Sequence, residues 1–273
     1  MNACDAHFHV FGAPERYPYA SDLRYKPPSA PLEDYLEHAR ELGMGRYVFV
    51  QPSAYGRDNR CMLDAMRVVG PERCRGIVDV DERVTAAELE RLDALGVRGV
   101  RINVNPIKPP EPGFSSSLLQ RIRTLDAKCA ELGWMLDFLT PGWLTRELIP
   151  VFRELRSRFS VAHLGMFPAR DGPQQPGFTE FVGFAGGCER CWVKLTGAYR
   201  ISVEPGFADT VPLARALIAA VPERVIWGSD YPHLSFADRV DSRRLAALLE
   251  AWAPDKRVRD QILVENPQRC FGF

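Results

Sequence analysis

The stretch Asp5-Ala6-His7-Phe8-His9-Val10, near the start of the chain, decides between two α/β folds. It is the first of eight short apolar segments that alternate with amphipathic helical patterns. Such alternation is found in closed (β/α)8 barrels and in open doubly wound sheets. The open sheet calls for a glycine-rich turn directly after the first strand, whereas this strand ends in His-Phe-His. The sequence therefore predicts a (β/α)8 TIM barrel, with residues 1–273 as a single domain.

Most of the predicted strands are largely apolar, as expected for parallel strands that are covered on both faces. They span residues 5–10, 46–51, 75–80, 97–104, 134–139, 160–164, 191–196 and 224–228. Helical spacing recurs between them, with Thr85 and Glu88 forming a capping box, Thr145 opening a helix, and a terminal helix over about 255–264. Gly43, Gly96 and Gly133 follow three of these patterns and are predicted to end the helices.

Long loops rich in proline and glycine follow four predicted strands, at residues 11–31, 105–117, 165–177 and 197–209. The turns after the helices are shorter. In a barrel, the loops after the strands gather on one face, and that face carries the active site. Functional residues are therefore expected at the carboxyl ends of the strands.

The overall charge excludes a general attraction to nucleic acid or acidic membranes, since 35 basic residues balance 35 acidic ones. No apolar run reaches the roughly 18 residues needed to span a bilayer, and no signal-peptide pattern precedes Asp5. Seven scattered cysteines are typical of reduced thiols, and Cys188 and Cys191 lack the second pair that a zinc site needs. We expect a cytoplasmic protein without nucleic-acid or membrane partners; the sequence does not indicate its oligomeric state.

Histidines concentrate where the barrel would place its active site. Four of the five lie at or just beyond the carboxyl ends of predicted strands: His7, His9, His163 and His233. Residues i and i+2 of a strand share a face, so His7 and His9 should project together. Asp230 follows strand eight, which neighbours strand one in a closed barrel, so we expect it near this pair. The fifth histidine, His38, is expected on the solvated surface of the first helix.

Seven segments together resemble the amidohydrolase superfamily, and within it the branch that contains 2-pyrone-4,6-dicarboxylate lactonase and related muconolactone- and sugar-lactone-processing enzymes. The segments are residues 5–12, 50–53 with 58–59, 99–103, 162–165, 194–197, 225–233 and 265–267. The resemblance extends over essentially the whole chain. It implies hydrolysis of a cyclic ester of a small molecule.

In this resemblance Asp230 is the general base that takes a proton from water. His7, His9 and His163 would hydrogen-bond the lactone carbonyl and stabilise its oxyanion. His233 would orient Asp230 or bind substrate.

The resemblance also marks four substrate contacts: Tyr25, Ser53, Arg101 and Arg200. Side-chain chemistry supports the assignment of Arg101, because a guanidinium near the end of an apolar strand suits bidentate binding of a carboxylate or sulfonate. For Arg200, in the loop after strand seven, a surface salt bridge is an equal alternative.

The chain departs from the dicarboxylate lactonases at three positions. They carry arginines where this chain has Ile107 and Met166, and a tyrosine where it has Asp137. With fewer cations and an added anion, the site favours a lactone with one anionic group, or a neutral sugar-type lactone. Asp137 either binds a substrate hydroxyl or pairs with Arg101.

Most amidohydrolases hold one or two divalent metals through the His-x-His pair, a lysine or glutamate on strand four, histidines on strands five and six, and the aspartate of strand eight. Here strand four offers Arg101 and strand five has no histidine. The resemblance therefore favours catalysis without a metal cofactor. The alternative is a single zinc or manganese ion held by His7, His9 and Asp230.

Three other functions stay open at this stage. The first is a metal-dependent decarboxylase or hydratase of the same superfamily, which requires a fuller ligand set. The second is a lactone isomerase; the resemblance implies that isomerases tend to lack the strand-eight carboxylate, so Asp230 favours hydrolysis. The third is a non-catalytic binding protein, which would have lost a catalytic residue, and none is lost.

Overall fold

The computed structural model describes residues 2–23, 25–104 and 114–273. Eight parallel strands form one sheet in the order β1 to β8, which confirms the predicted (β/α)8-barrel fold class. The strands are β1 (Cys4–Phe8), β2 (Arg46–Val50), β3 (Cys74–Val78), β4 (Val97–Asn103), β5 (Met135–Leu139), β6 (Arg158–Val161), β7 (Cys191–Leu195) and β8 (Val225–Trp227).

Helices follow the strands along the chain. They are α1 (Leu32–Glu41), α2 (Arg60–Val69), α3 (Ala86–Ala94), α4 (Phe114–Leu132), α5 (Gly142–Glu147), α6 (Ile149–Glu154), α7 (Pro176–Gly187), α8 (Ala198–Ile201), α9 (Val211–Ala220), α10 (Ser242–Trp252), α11 (Lys256–Asp260) and α12 (Asn266–Phe271). Among the described residues, none of the helices combines the length and the apolar character needed to cross a membrane.

The predicted helix ends agree with the structure in several places. The Oγ1 atom of Thr85 accepts a hydrogen bond from the backbone N–H of Glu88 at 3.2 Å, so the predicted N-cap of α3 is confirmed. Gly43, Gly96 and Gly133 have φ of 73°, 90° and 68°, the left-handed conformation with which helices commonly end.

Two helix predictions were wrong in detail. Thr145 lies inside α5 rather than at its start. A proline in the first turn of α6 has no N–H for the hydrogen-bond ladder of α5, so two short helices replace one. The terminal helix is also divided: α11 continues through a π-helical turn, Gln261–Glu265, into α12.

The chain divides into two compact units, which are described separately. The first unit comprises Met1–Arg98 and Ile226–Phe273, and the second comprises Gly99–Val225. In each unit, aromatic residues of the strands pack on aromatic residues of a helix or a neighbouring strand. Because successive side chains of a strand point to opposite faces, this packing also sets the direction of the polar residues between them.

In the first unit, Phe8 of β1 stacks on Tyr35 of α1, with ring centroids 3.5 Å apart, and also contacts Phe49 of β2 at 4.5 Å. These rings are almost fully removed from solvent. Since Phe8 faces α1, its neighbours His7 and His9 are directed to the other side of the strand.

In the second unit, Phe138 of β5 packs on Phe152 of α6 with ring centroids 4.9 Å apart. The ring centroid of Phe159, on β6, lies 6.1 Å from that of Phe138. The register pairs Asp137 with Ser160, the residues that precede Phe138 and follow Phe159. These two polar side chains therefore share the face of the sheet opposite to the aromatic cluster.

Candidate active site

Seven of the predicted site residues are buried although they are polar or charged. They are His7, His9, Asp230 and His233 in the first unit, and Arg101, Asp137 and His163 in the second. Burial of such groups is unfavourable unless hydrogen bonds or opposite charges compensate for the lost hydration. In each unit, hydrogen bonds and ion pairs compensate for part of this loss.

The structure brings His7, His9 and Asp230 together in the first unit, as the sequence predicted. The rings of His7 and His9 meet edge to face, with centroids 5.2 Å apart. The Nε2 atoms of His7 and His9 lie 3.7 and 3.8 Å from Oδ1 of Asp230. Two imidazoles and one carboxylate thus meet within a few ångströms.

A backbone carbonyl fixes the orientation of His9. Its Nδ1 lies 2.8 Å from the carbonyl oxygen of Val50, at the end of β2. A carbonyl oxygen only accepts, so Nδ1 carries a proton and Nε2 is the atom directed at Asp230. In neutral His9 this Nε2 holds a lone pair, which suits it to accept a proton or to bind a cation.

The segment after β8 has an unusual backbone. Asp230 and His233 have φ of 58° and 60°, a left-handed conformation that is uncommon for residues other than glycine and that recurs at functional sites. The N–H of His233 donates to the carbonyl oxygen of Asp230 at 2.8 Å, so the two residues are tied through the main chain. The Nε2 of His233 lies 2.8 Å from the hydroxyl of Ser242, the first residue of α10.

Sequence reasoning did not assign a role to Asp5 or Ser229, although both belong to the quoted motifs. Desolvation raises the pKa of Asp5 to about 6, against the opposing effect of its hydrogen bonds. The hydroxyl and the N–H of Ser229 both donate to this carboxylate, at 2.6 and 2.9 Å. The signal that could have found the pair is a charged residue at the start of a buried strand beside two site histidines.

In the second unit, Asp137 of β5 forms an ion pair that the sequence alternatives did not include. The Nζ atom of Lys194, on β7, lies 2.7 Å from Oδ1 of Asp137, and the Ser160 hydroxyl donates to the same oxygen. Desolvation acts to raise the pKa of Asp137, but Lys194, Ser160 and the charge of Arg101 outweigh it, so the pKa lies below its ordinary value. The predicted attraction to Arg101 is present, yet Lys194 contributes more.

Lys194 itself was missed as a site candidate. It lies in the segment Trp192-Val193-Lys194-Leu195 and is fully buried with its partner. A lysine within a predicted buried strand was the available signal, since lysine is almost never fully buried without a partner.

His163 lies just beyond β6, in the short helical turn His163–Met166, and its ring is hydrogen-bonded to Thr196, the residue that follows β7. Its Nδ1 is 2.7 Å from the hydroxyl oxygen of Thr196, which also accepts the backbone N–H of His163 at 3.2 Å. A Cβ on Gly197 would lie 2.6 Å from this Nδ1, and Gly197 has a φ of 58°. Only glycine therefore fits beside this imidazole.

The remaining predicted contacts lie in less buried positions. The hydroxyls of Tyr25 and Ser53 are 3.3 Å apart in the first unit. Arg200, on α8, is half-buried and lies over the ring of Tyr199 at 5.2 Å. Met166 is half-buried, and Ile107 lies outside the described residues.

The expectation that His38 is a solvated surface residue was wrong. Its half-buried ring stacks on Tyr231 with centroids 5.0 Å apart. Burial lowers its pKa, although Glu41 and Asp241 act in the opposite direction. The cause is long-range: the chain after β8 returns to cover this face of α1.

The donor types of the first unit are those that bind a divalent metal ion. His7, His9 and Asp230 offer two imidazole nitrogens and a carboxylate oxygen, a common set for zinc, and the Val50 carbonyl orients one imidazole. Two of the usual further ligand positions differ in the second unit, because β4 carries Arg101 and the β5 carboxylate, Asp137, is engaged by Lys194.

Comparisons with known proteins identify the family of the chain. The amidohydrolase family model matches residues 4–273. The 4-sulfomuconolactone hydrolase of Hydrogenophaga intermedia is 36% identical over 98% of this chain and 88% of its own length. The 2-pyrone-4,6-dicarboxylate hydrolase of Comamonas testosteroni is 31% identical over 98% and 90%. A crystal structure from Agrobacterium tumefaciens superposes with a TM-score of 0.87 at 28% identity, covering 100% of this chain and 96% of that one. The chain belongs to the amidohydrolase family.

Proposed function

We propose that this protein is a hydrolase that opens the ring ester of a small lactone. The observation that carries the proposal is the approach of His7 and His9 to Asp230, with both Nε2 atoms within 3.8 Å of one carboxylate oxygen. Two similar proteins, named as hydrolases of a sulfomuconolactone and of a pyrone dicarboxylate, support this reaction class.

In the proposed reaction Asp230 takes a proton from water while the water oxygen bonds to the lactone carbonyl carbon. The tetrahedral intermediate then loses its ring C–O bond, and the ring oxygen receives the proton from Asp230. General-base catalysis of this kind contributes roughly 10²–10⁴ in rate.

The histidines stabilise the oxyanion that forms on the carbonyl oxygen. For His163, the Thr196 hydroxyl is placed to donate to Nδ1, which leaves the proton of the neutral ring on Nε2 as a donor. For His9, whose Nδ1 proton is engaged by Val50, donation from Nε2 requires the imidazolium form, and this Nε2 lies 3.8 Å from Oδ1 of Asp230. Removing one oxyanion donor costs on the order of 10²–10³ in rate.

The proposal keeps the other predicted site residues as substrate contacts. Its support is the fold class, in which active-site residues lie at the carboxyl ends of the strands. Arg101 would bind the anionic group of the substrate, with Tyr25, Ser53, Asp137, Arg200 and His233 as further contacts. Because Lys194 neutralises Asp137, that pair adds no net charge. The preference for a mono-anionic or sugar-type lactone over a dicarboxylate therefore rests on Ile107 and Met166, which stand where the dicarboxylate lactonases carry arginines.

The proposed reaction proceeds without a metal cofactor. If an ion is bound at His7, His9 and Asp230, it would supply Lewis-acid polarisation of the carbonyl and a more acidic water. We also propose that the protein acts in the cytoplasm on small molecules, independently of nucleic acid and membranes. The balanced charge and the seven free cysteines support this localisation.

The test is a panel of sulfomuconolactone, muconolactones, aldonolactones and pyrone dicarboxylates, assayed by proton release and by NMR of the products. We expect an open-chain acid from a mono-anionic or sugar-type lactone, and a loss of at least about 10² in kcat for Asp230→Asn with an unchanged circular dichroism spectrum. An isomerised ring, released carbon dioxide, or full turnover by the Asp230→Asn variant would each contradict the proposal.

A further inference from the structure

Asp5 is a buried carboxylate at the start of β1, and four hydrogen bonds converge on it. Its Oδ1 accepts the N–H groups of Ser229 and His7 at 2.9 and 3.2 Å. Its Oδ2 accepts the hydroxyls of Ser229 and Tyr35 at 2.6 and 3.2 Å. The carboxylate is fully removed from solvent, so these bonds replace its hydration.

Further hydrogen bonds hold the residues on either side of Asp230, the proposed general base. Its hydroxyl oxygen accepts the N–H of Tyr231 at 3.1 Å. The N–H of Asp230 donates to the carbonyl of His7, and the carbonyl of Tyr231 accepts the N–H of His9, both at 2.8 Å. The residues before and after Asp230 are thus fastened to the strand end that carries the two histidines.

The backbone at this point has little freedom. Asp230 has a φ of 58°, a left-handed conformation that is unfavourable for a residue with a side chain, so it persists only where the surroundings fix it. A Cβ on Gly228 would lie 2.5 Å from the backbone nitrogen of His7. The segment after β8 therefore approaches β1 so closely that no side chain fits at position 228.

We propose that Asp5 and Ser229 are positioning residues, which hold the Asp230 carboxylate at its distance from His7 and His9. Both side chains are fully removed from solvent, so we assign them an effect through Asp230 and not on the lactone itself. The inference rests on the proposed hydrolase function. It adds that the catalytic geometry depends on the hydrogen bonds between Asp5 and Ser229, which join the start of β1 to the end of β8 and are called the clamp below.

The chain offers a matched pair of variants for the test, since the hydroxyls of Ser229 and Tyr35 each donate one hydrogen bond to the same oxygen of Asp5. Ser229→Ala removes the bond to Asp5 and also the acceptor for Tyr231. Tyr35→Phe removes only a bond to Asp5. A purely structural role predicts similar losses of thermal stability and unchanged kcat in both.

We expect Ser229→Ala to lower kcat by at least about tenfold with KM within about threefold, because small misplacements of reacting groups cost rate rather than ground-state binding. Tyr35→Phe should lose stability but keep kcat within about twofold.

Equal kcat values in Ser229→Ala and Tyr35→Phe would overturn the clamp. If Ser229→Ala does not fold, Ser229→Cys, which keeps a weak donor of similar shape, should show an intermediate loss of kcat, and a wild-type kcat in that variant would equally refute it. Absence of lactone hydrolysis by the wild-type protein would instead refute the proposed function, so the two failures are distinguishable.

Discussion

Replacing Lys194 with methionine should strongly destabilise the protein. The change leaves the Asp137 carboxylate in a fully buried position without the ammonium that lies 2.7 Å away. Removing one partner of a buried ion pair costs about 3–5 kcal/mol, since the remaining charge is uncompensated. Ser160 and the charge of Arg101 still act on Asp137, so we place the expected loss at the lower end, about 3 kcal/mol.

The effect should depend on pH with a definite sign. In the wild-type protein the pKa of Asp137 lies below its ordinary value of 3.8, so its contribution to stability is present at neutral pH and is lost as the pH falls through the folded-state pKa. In Lys194→Met the desolvation is less opposed and the pKa of Asp137 rises. The folded variant then takes up a proton that the unfolded chain does not, so the stability difference from wild type should shrink as the pH is lowered.

Urea unfolding followed by tryptophan fluorescence, at about pH 8 and about pH 5, measures both effects. The double variant Lys194→Met with Asp137→Asn should recover part of the loss, because no buried charge then lacks its partner. Lys256→Met is the matched control: Lys256 lies 2.6 Å from Asp260, but the pair is exposed, so the loss should stay below about 1 kcal/mol. A loss in Lys194→Met as small as in this control, or one that grows at low pH, would refute the reasoning.

Three further predictions concern other parts of the molecule. Gly197→Ala should lower kcat about tenfold and reduce stability, because its Cβ would displace His163. The control Gly133→Ala, at a similar φ but with no atom within 4 Å of its Cβ, should reduce stability alone. Equal losses of kcat for the two variants in steady-state assays would contradict this prediction. Thr85→Ala should reduce the free energy of unfolding by about 1 kcal/mol through loss of the α3 N-cap, measured by urea titration against wild type, and an unchanged midpoint would count against the cap. Treatment with a chelator should leave lactone hydrolysis intact, whereas activity that disappears and returns only with zinc or manganese would show that the enzyme needs a metal cofactor.

Much of the fold and part of the candidate site follow from the sequence, because their signals are local. Alternating apolar segments and helices predict the barrel, and the capping box at Thr85 predicts the start of α3. The i, i+2 spacing of His7 and His9 fixes their common face, and strand order alone brings Asp230 to them. These inferences need only the periodicity of each element and the sequence of the strands.

The tertiary structure alone decided which buried groups pair. The choice of Lys194 as the partner of Asp137, and the stacking of His38 on Tyr231, depend on the reach of side chains between segments distant in sequence. The clamp of Asp5 and Ser229 likewise joins residues 224 positions apart. Periodicity specifies the face of a strand on which a residue lies, but strand register, twist and rotamer determine which atoms on that face come within hydrogen-bond distance.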